Sequence, residues 1–496
     1  MNDRGRTTAI TAALIFFLLA ATRLPLAPKY LYHFDSVNFA LSIDEFNPAK
    51  HQPQPPGYPM FVALLRLIHF AIPQAEYVLL AAGLVMATAA AICLWQLLNE
   101  MFGRNAAVIA VSLFIFNPAC WFGGVTNQVR LCLAFCSTGI ALLAWRALRR
   151  PDNAWLLYGS FAALGVGAGF RPALGVLLIP LLLWVWWNTS RSIYRLLICI
   201  GLTVLAIVPW VTASAMAVGG LKEWLALMWG YSNEQFRGTS AVFGASSQSA
   251  GQMAWQAAVW NGLGALTWIW AIPFSRIKWP IGVPAFLLVW FAPIFLFSAF
   301  IHIGDPDQAL ASIPVVCGVG GAVLASFLQH YNVRGVAGAA VAVAILNVFL
   351  FFNPPRGPAR ASGYRAVASM DERTRSVFRA INDLKTTSPV SIVHYRGIVS
   401  WRQLSYYFQN DYIVYLAPGL DEYSWTLFRL ASIDQKQPPH SLPGPKRVIL
   451  IAPFENPMEM ETEGWQKRGP VYYRDIEPND HVDIGPYHLS QSVPVT

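Results

Sequence analysis

The sequence predicts an all-α polytopic membrane protein with a small α/β domain at its C-terminal end. Three observations predict it. Hydrophobic runs of about 17–25 residues, the length a helix needs to cross a bilayer, recur from residue 10 to residue 352. Only 12% of the chain is charged, about half the share found in soluble domains. Beyond residue 352 the apolar runs give way to short alternating helix and strand patterns. Barrel strands would be shorter and would alternate polar with apolar positions.

The first run, residues 10–26, is preceded by Arg4 and Arg6. That basic flank resembles a signal peptide, but the chain stays hydrophobic far beyond it, so the run is expected to remain as the first span. Basic residues stay on the cytoplasmic side, which places the N-terminus there and the following loop outside. In that loop Asp35 to Phe46 predicts a short amphipathic helix. Val37, Ala40, Leu41 and Ile43 share one face, opposite Asn38, Ser42 and Glu45. Pro53, Pro55 and Pro56 then predict an extended approach to a second helix over about residues 56–72. It opens on proline and carries Arg66 and His69, so it is expected to lie at the outer interface.

That placement orders the rest. Spans follow from residue 77 to residue 352, and their cytoplasmic turns carry Arg104; Arg146, Arg149 and Arg150; Arg191 and Arg195; Arg276 and Lys278; and Arg334. Had the second helix crossed, all of these would face outward. The charge rule therefore favours about eleven spans and an outward tail. The expected domains are a membrane domain over residues 1–352, a Pro-rich linker (NPPRGPAR onward) over 353–370, and an extracytoplasmic α/β domain over 371–496. In the last, DERTRSVFRAINDL and SWRQLSYYFQ predict helices, and PVSIVHY, DYIVYL and KRVILIAPF predict strands. It has no Gly-rich phosphate loop and no Ser-His-Asp motif. The short arginine loops and single polar tail suit a bacterial inner membrane.

The net charge of +9 is spread through short loops, which is the positive-inside pattern and not a nucleic-acid footprint. The six cysteines lie in or beside apolar runs and form neither a disulfide framework nor a zinc pattern.

On this topology the mixed polar residues gather on the outer side, which points to a site there. Asp35 follows the first span and is placed either to take a proton from an acceptor hydroxyl or to cap the short helix. HQPQPPGYP, residues 51–59, is a stiff loop in which Gly57 allows close backbone approach to a ligand. There His51 could bind phosphate or metal, or be an ordinary loop histidine, and Tyr58 could face lipid or sugar. GFRP sets Arg171 at an outward helix end, where arginine suits phosphate but also snorkels. IHIGDPDQA brings His302, Asp305, Asp307 and Gln308 together, a set able to hold a divalent ion or hydroxyls, with helix capping by Asp307 as the plainer alternative. Asn127 lies in the outward loop GGVTNQV beside Arg130. The sequence requires no cofactor; a divalent ion, if one binds, would draw on Asp35, Asp305 and Asp307. Trp224, Trp229 and Tyr231 in a long outward loop fit an interfacial aromatic belt, with sugar stacking as the other reading.

Together these pieces resemble the GT-C superfamily of membrane glycosyltransferases, in the branch of protein O-mannosyltransferases and lipid A aminoarabinose transferases. The resemblance spans roughly residues 1–352. It rests on the acid after the first span, on PPGYP opening the second outward helix, and on the turn Phe102-Gly103-Arg104. It implies a GT-C fold and sugar transfer, with inversion, from a polyprenyl-phosphate donor to a lipid, glycan or protein acceptor on the outer face. It also implies that Asp35 is the general base, that His51 and the PPGYP run stand at a substrate motif, and that Arg171 meets phosphate. The chain departs from the family where GGVTNQV lacks an acid, and Asp305 is the residue that could replace it. Two rival classes are a transporter or flippase for a lipid-linked or anionic solute, which would place polar groups near the midplane, and a non-catalytic scaffold presenting the tail.

Overall fold

The computed structural model describes residues 3–126, 129–242, 249–329, 333–385, 390–395, 399–417, 424–429, 432–434, 441–442, 447–451, 464–476, 480–484 and 487–491. The chain packs as two compact units. One comprises residues 1–27 and 45–367, the other residues 28–44 and 368–496.

The first unit is helical. Helix α1 (Asp3–Arg23) is the first apolar run, and α2 (Phe34–Asp44) belongs to the second unit. Then come α3 (Pro59–His69), α4 (Ala75–Phe102), α5 (Arg104–Phe116), α6 (Pro118–Val125), α7 (Leu131–Arg149) and α8 (Ala154–Phe170). They are followed by α9 (Pro172–Leu177), α10 (Ile179–Thr189), α11 (Ile193–Ala217), α12 (Leu221–Thr239), α13 (Ala250–Gly262), α14 (Val283–Phe300), α15 (Ile313–Phe327) and α16 (Val333–Phe352). Among the described residues, seven helical stretches are long and apolar enough to cross a membrane, or eight if α5 and α6, bent by 49°, form one span. Helices α3, α8 and α15 are apolar but shorter.

Local sequence sets the breaks. Asn117 caps α6 by accepting the Ala119 N–H, and Pro118 takes its first position, where a missing N–H costs nothing. Arg171 is extended and Pro172 opens α9, so GFRP divides an apolar stretch into two helices. Glycine lets neighbouring helices approach closely. A Cβ at Gly165 of α8 would lie 2.6 Å from the Thr203 carbonyl of α11, and one at Gly321 of α15 would lie 2.5 Å from the Ala106 carbonyl of α5. Thr203 Oγ1 donates to the Phe161 carbonyl at 3.0 Å, and Trp210 Nε1 donates to the Gly165 carbonyl at 3.0 Å. These bonds satisfy polar groups that lipid could not.

The second unit is an α/β sandwich of helices on a mixed sheet. Helix α17 (Tyr364–Leu384) leads into β1 (Ser391–Tyr395), α18 (Trp401–Tyr407) and β2 (Tyr412–Ala417). Strands β3 (Ser424–Arg429), β4 (Ser432–Asp434), β5 (Ser441–Leu442), β6 (Arg447–Ile451), β7 (Gln466–Arg468), β8 (Val471–Asp475), β9 (His481–Ile484) and β10 (Tyr487–Gln491) complete it. The main sheet has the order β4-β3-β2-β1-β6-β8-β7, with β1 parallel to both β2 and β6. The strands expected in PVSIVHY, DYIVYL and KRVILIAPF are these three central ones. Phe378 and Ile381 of α17, Leu404 of α18 and Phe408 just after it, and Ile392, Ile413 and Ile449 of the sheet form its core.

Residues 28–44 are tied into this core. The Leu31 N–H donates to Tyr407 Oη at 2.9 Å, and Gln403 Nε2 donates to the Leu31 carbonyl. The Lys29 N–H donates to Asp371 Oδ1 at 2.9 Å, and the Tyr30 ring meets Phe378 edge-on at 4.7 Å. Buried Arg402 donates through Nε to Asn38 Oδ1 at 2.9 Å, and burial lowers its pKa to about 10.

Candidate functional site

The Pro-rich loop folds back on itself, where the prolines alone predict an extended approach. Asn47 and Gln52 form an antiparallel bridge, the Asn47 N–H donating to the Gln52 carbonyl at 2.6 Å and the Gln52 N–H returning to Asn47 at 3.0 Å. The Gln52–Pro53 and Pro55–Pro56 peptides are cis. His51 and Tyr58 adopt left-handed conformations, with φ of 55° and 46°. Gly57 has φ 101°, and a Cβ there would lie 2.8 Å from Pro48 Cγ, so this position admits only glycine without rearrangement. Pro59 then starts α3.

The fold brings this loop to the GFRP and IHIGDPDQA motifs. Tyr58, Arg171 and His302 line one cavity of about 280 Å³, together with Pro56, Tyr231 and Phe297. The Arg171 guanidinium stands 5.9 Å from the Tyr58 ring centre. His51 meets the Tyr231 ring edge-on at 6.2 Å.

His302 follows α14, with its N–H donating to the Phe297 carbonyl at 3.1 Å. Burial first, and then Arg171 and Arg130, push its pKa down to about 4, against a smaller opposite pull from Asp305. The ring is therefore neutral at pH 7. Gln308 Oε1 accepts the Gly304 N–H at 2.9 Å, which orients the amide so that its Nε2 faces His302 Nε2 at 3.4 Å. An amide nitrogen only donates, so Nε2 of the imidazole is the acceptor and Nδ1 carries the proton.

Behind His302, Arg130 is buried between two carboxylates. Its Nη2 lies 3.7 Å from Asp305 Oδ2, and its Nε lies 3.8 Å from Asp307 Oδ1. Asp307 is fully buried, and among the described residues neither of its oxygens accepts a hydrogen bond. Burial pushes its pKa up, against the pull of Arg130. Both carboxylates are thus engaged with an arginine. Among the described residues no group of three or more His, Cys, Asp or Glu side chains is placed to hold a metal ion.

Asp35 stands inside the first turn of α2, in the second unit, with its N–H donating to His33 Nδ1 at 3.3 Å. Asn127 lies outside the described residues. Of the aromatic residues expected in a belt, Trp229 is exposed, Trp224 is buried against Trp210, and Tyr231 lines the cavity. Arg130 is the member of this neighbourhood to which the sequence assigned no binding role, and for Tyr231 the sequence offered sugar stacking only as the alternative to an aromatic belt. Arg130 follows the polar stretch GGVTNQV, which hinted at a binding role.

This set of helices has solved counterparts. The structure of ArnT from Cupriavidus metallidurans bound to undecaprenyl phosphate superposes with a TM-score of 0.54 at 14% identity, covering 83% of this chain and 86% of that one. The apo structure of the same protein gives 0.52 at 15% identity, covering 82% and 86%. The chain has the GT-C fold of the membrane glycosyltransferases. Residues 52–214, from the Pro-rich loop through α11, match the family model of the dolichyl-phosphate-mannose-protein mannosyltransferases. No curated protein sequence matches the chain. Within the GT-C unit, the matched stretch includes Tyr58, Arg130 and Arg171, and His302 joins them from outside it.

Proposed function

We propose that this GT-C protein transfers a sugar from a polyprenyl-phosphate donor to a hydroxyl acceptor at the outer membrane face. The observation that carries this reading is the convergence of Arg171, Tyr58 and His302 on one cavity, with Arg130 behind them. That cavity offers what a lipid phosphate needs. Arg171 presents a guanidinium that grips phosphate through two parallel hydrogen bonds. Tyr58 and Tyr231 offer ring faces to a sugar. The neutral His302 keeps a donor N–H at Nδ1.

In the transfer, an acceptor oxygen attacks the anomeric carbon while the bond from that carbon to the phosphate oxygen breaks. The electron pair leaves with the polyprenyl phosphate, whose added negative charge meets Arg171. The acceptor proton passes to a carboxylate, for which we assign Asp35 on its position after the first span. A single displacement inverts the anomeric centre. The ArnT relative, crystallised with undecaprenyl phosphate, supports a carrier of this class. The charge pattern of the loops supports a cytoplasmic N-terminus and an outward C-terminal domain, in a bacterial inner membrane.

The test is transfer in reconstituted vesicles from a panel of labelled polyprenyl-phosphate sugars, with native membrane extract as acceptor. Wild type should move label into product, and folded Asp35→Asn should not. Equal transfer by both would remove Asp35 as base. Labelled lipid crossing the bilayer without transfer would point to a flippase.

A further inference from the structure

A second cavity of about 550 Å³ lies where the α4–α5 turn meets the segment before α14 and the end of α15, and it has no part in the proposed reaction. Met101, Phe102, Asn105, Arg276, Lys278 and Gln329 are among the residues that line it. The turn is Phe102-Gly103-Arg104, the motif singled out in the sequence. Since α14 runs from Val283 to Phe300, this cavity and His302 lie at opposite ends of that helix.

The charges here favour an anion. Among the described residues, neither Arg276 nor Lys278 pairs with a carboxylate, and no Asp or Glu lines the cavity. Glu100, the acid nearest in sequence, is held by Arg146 at 2.8 Å. Helix ends carry about half an elementary charge. The C-termini of α4 and α15 thus offer about one negative charge and the N-terminus of α5 about half a positive one. Two side-chain cations exceed that balance. The segment is also held in place: the Arg276 N–H donates to Ser326 Oγ at 2.9 Å, and Trp279 meets Phe102 edge-on at 5.6 Å. Its neighbours Phe274 and Ile281 are 66% and 99% exposed, as side chains facing lipid tails would be. Basic cavities between spans at a bilayer rim recognise lipid phosphates.

We propose that this cavity binds a phosphate-bearing anion through Arg276 and Lys278, either an anionic phospholipid headgroup or free phosphate. The site is independent of the proposed sugar transfer.

Native mass spectrometry of the full chain in mixed phosphatidylcholine and phosphatidylglycerol micelles tests it. Wild type should retain phosphatidylglycerol in preference to phosphatidylcholine. The double variant Arg276→Gln, Lys278→Gln should bind it about thirtyfold more weakly, with an unchanged melting temperature. The double variant Arg276→Lys, Lys278→Arg, which keeps both charges, should retain it. A parallel titration of inorganic phosphate in phosphatidylcholine micelles, followed by phosphorus NMR line broadening, separates the sources. Phosphatidylglycerol binding alone assigns the headgroup, and phosphate binding lost in the glutamine variant assigns the free ion. Equal retention of both probes by wild type and the glutamine variant would overturn the proposal.

Discussion

Arg130 Nε lies 3.8 Å from Asp307 Oδ1, and both side chains are buried at the loop that carries His302. Asp305 also faces Arg130, so removing Asp307 takes away one of two partners, and a buried charge that loses a partner costs more than the pair itself contributes. Asp307→Ala should therefore destabilise the GT-C unit by about 3 kcal/mol, read as a drop in melting temperature in detergent. Asp307→Asn, which keeps the volume, should cost less. An Asp307→Ala protein that melts with wild type would mean that Asp305 alone holds Arg130.

His302 sets a pH dependence. Its folded pKa of about 4 lies below its ordinary value of 6.5, so the folded ring is neutral where the unfolded ring is charged. The stability of the neutral ring is fully present above about pH 6.5 and is lost as pH falls toward 4. The slope is at most about 1.4 kcal/mol per pH unit. Melting curves of wild type and His302→Gln should run parallel above that window, with wild type losing ground below it. Parallel curves throughout would show that folding does not lower the pKa of His302.

A bound phosphate reverses this tendency, because its negative charge favours the imidazolium. Polyprenyl phosphate should then bind with proton uptake, its affinity rising as pH falls from neutral toward about 4 in wild type and changing less in His302→Gln. Binding titrations across that range would show it.

Gly57 is fixed by conformation and by space. Gly57→Ala faces both a positive φ and the Pro48 ring, a strain of roughly 1–3 kcal/mol. It should shift Tyr58 and reduce sugar transfer at least tenfold while the rest of the unit stays folded. Transfer at the wild-type rate would separate the loop from the site.

Arg402 binds α2 to α18 through Asn38. Arg402→Met should leave Asn38 without this donor and release residues 28–44 to faster hydrogen exchange, by about 1.5–3 kcal/mol of lost protection. Unchanged exchange in that segment would show that Gln403 and Tyr407 suffice.

The fold class was legible because apolar run lengths are read directly from sequence, and the breaks at GFRP and IHIGDPDQA show where helices end. That Tyr58, Arg171 and His302 share a cavity was only half legible. Each stood out as a polar or aromatic group at an outward helix end, but their meeting depends on how α3, α8 and α14 pack. For Tyr231 the sequence left the aromatic belt and sugar stacking both open, since an aromatic against a membrane interface and one against a ligand have the same local surroundings. The attachment of residues 28–44 to the C-terminal unit was invisible as well. It rests on Arg402, Gln403 and Tyr407, more than 350 positions away in sequence, and no local preference announces a contact of that range.

The most direct test of the central claim is Arg171→Ala, read for both donor binding and transfer in reconstituted vesicles. If Arg171 receives the departing phosphate, the variant should bind polyprenyl phosphate at least tenfold more weakly and lose transfer by a larger factor, since the lost charge matters most as the bond breaks. A variant that binds the lipid phosphate and transfers sugar like wild type would contradict the account.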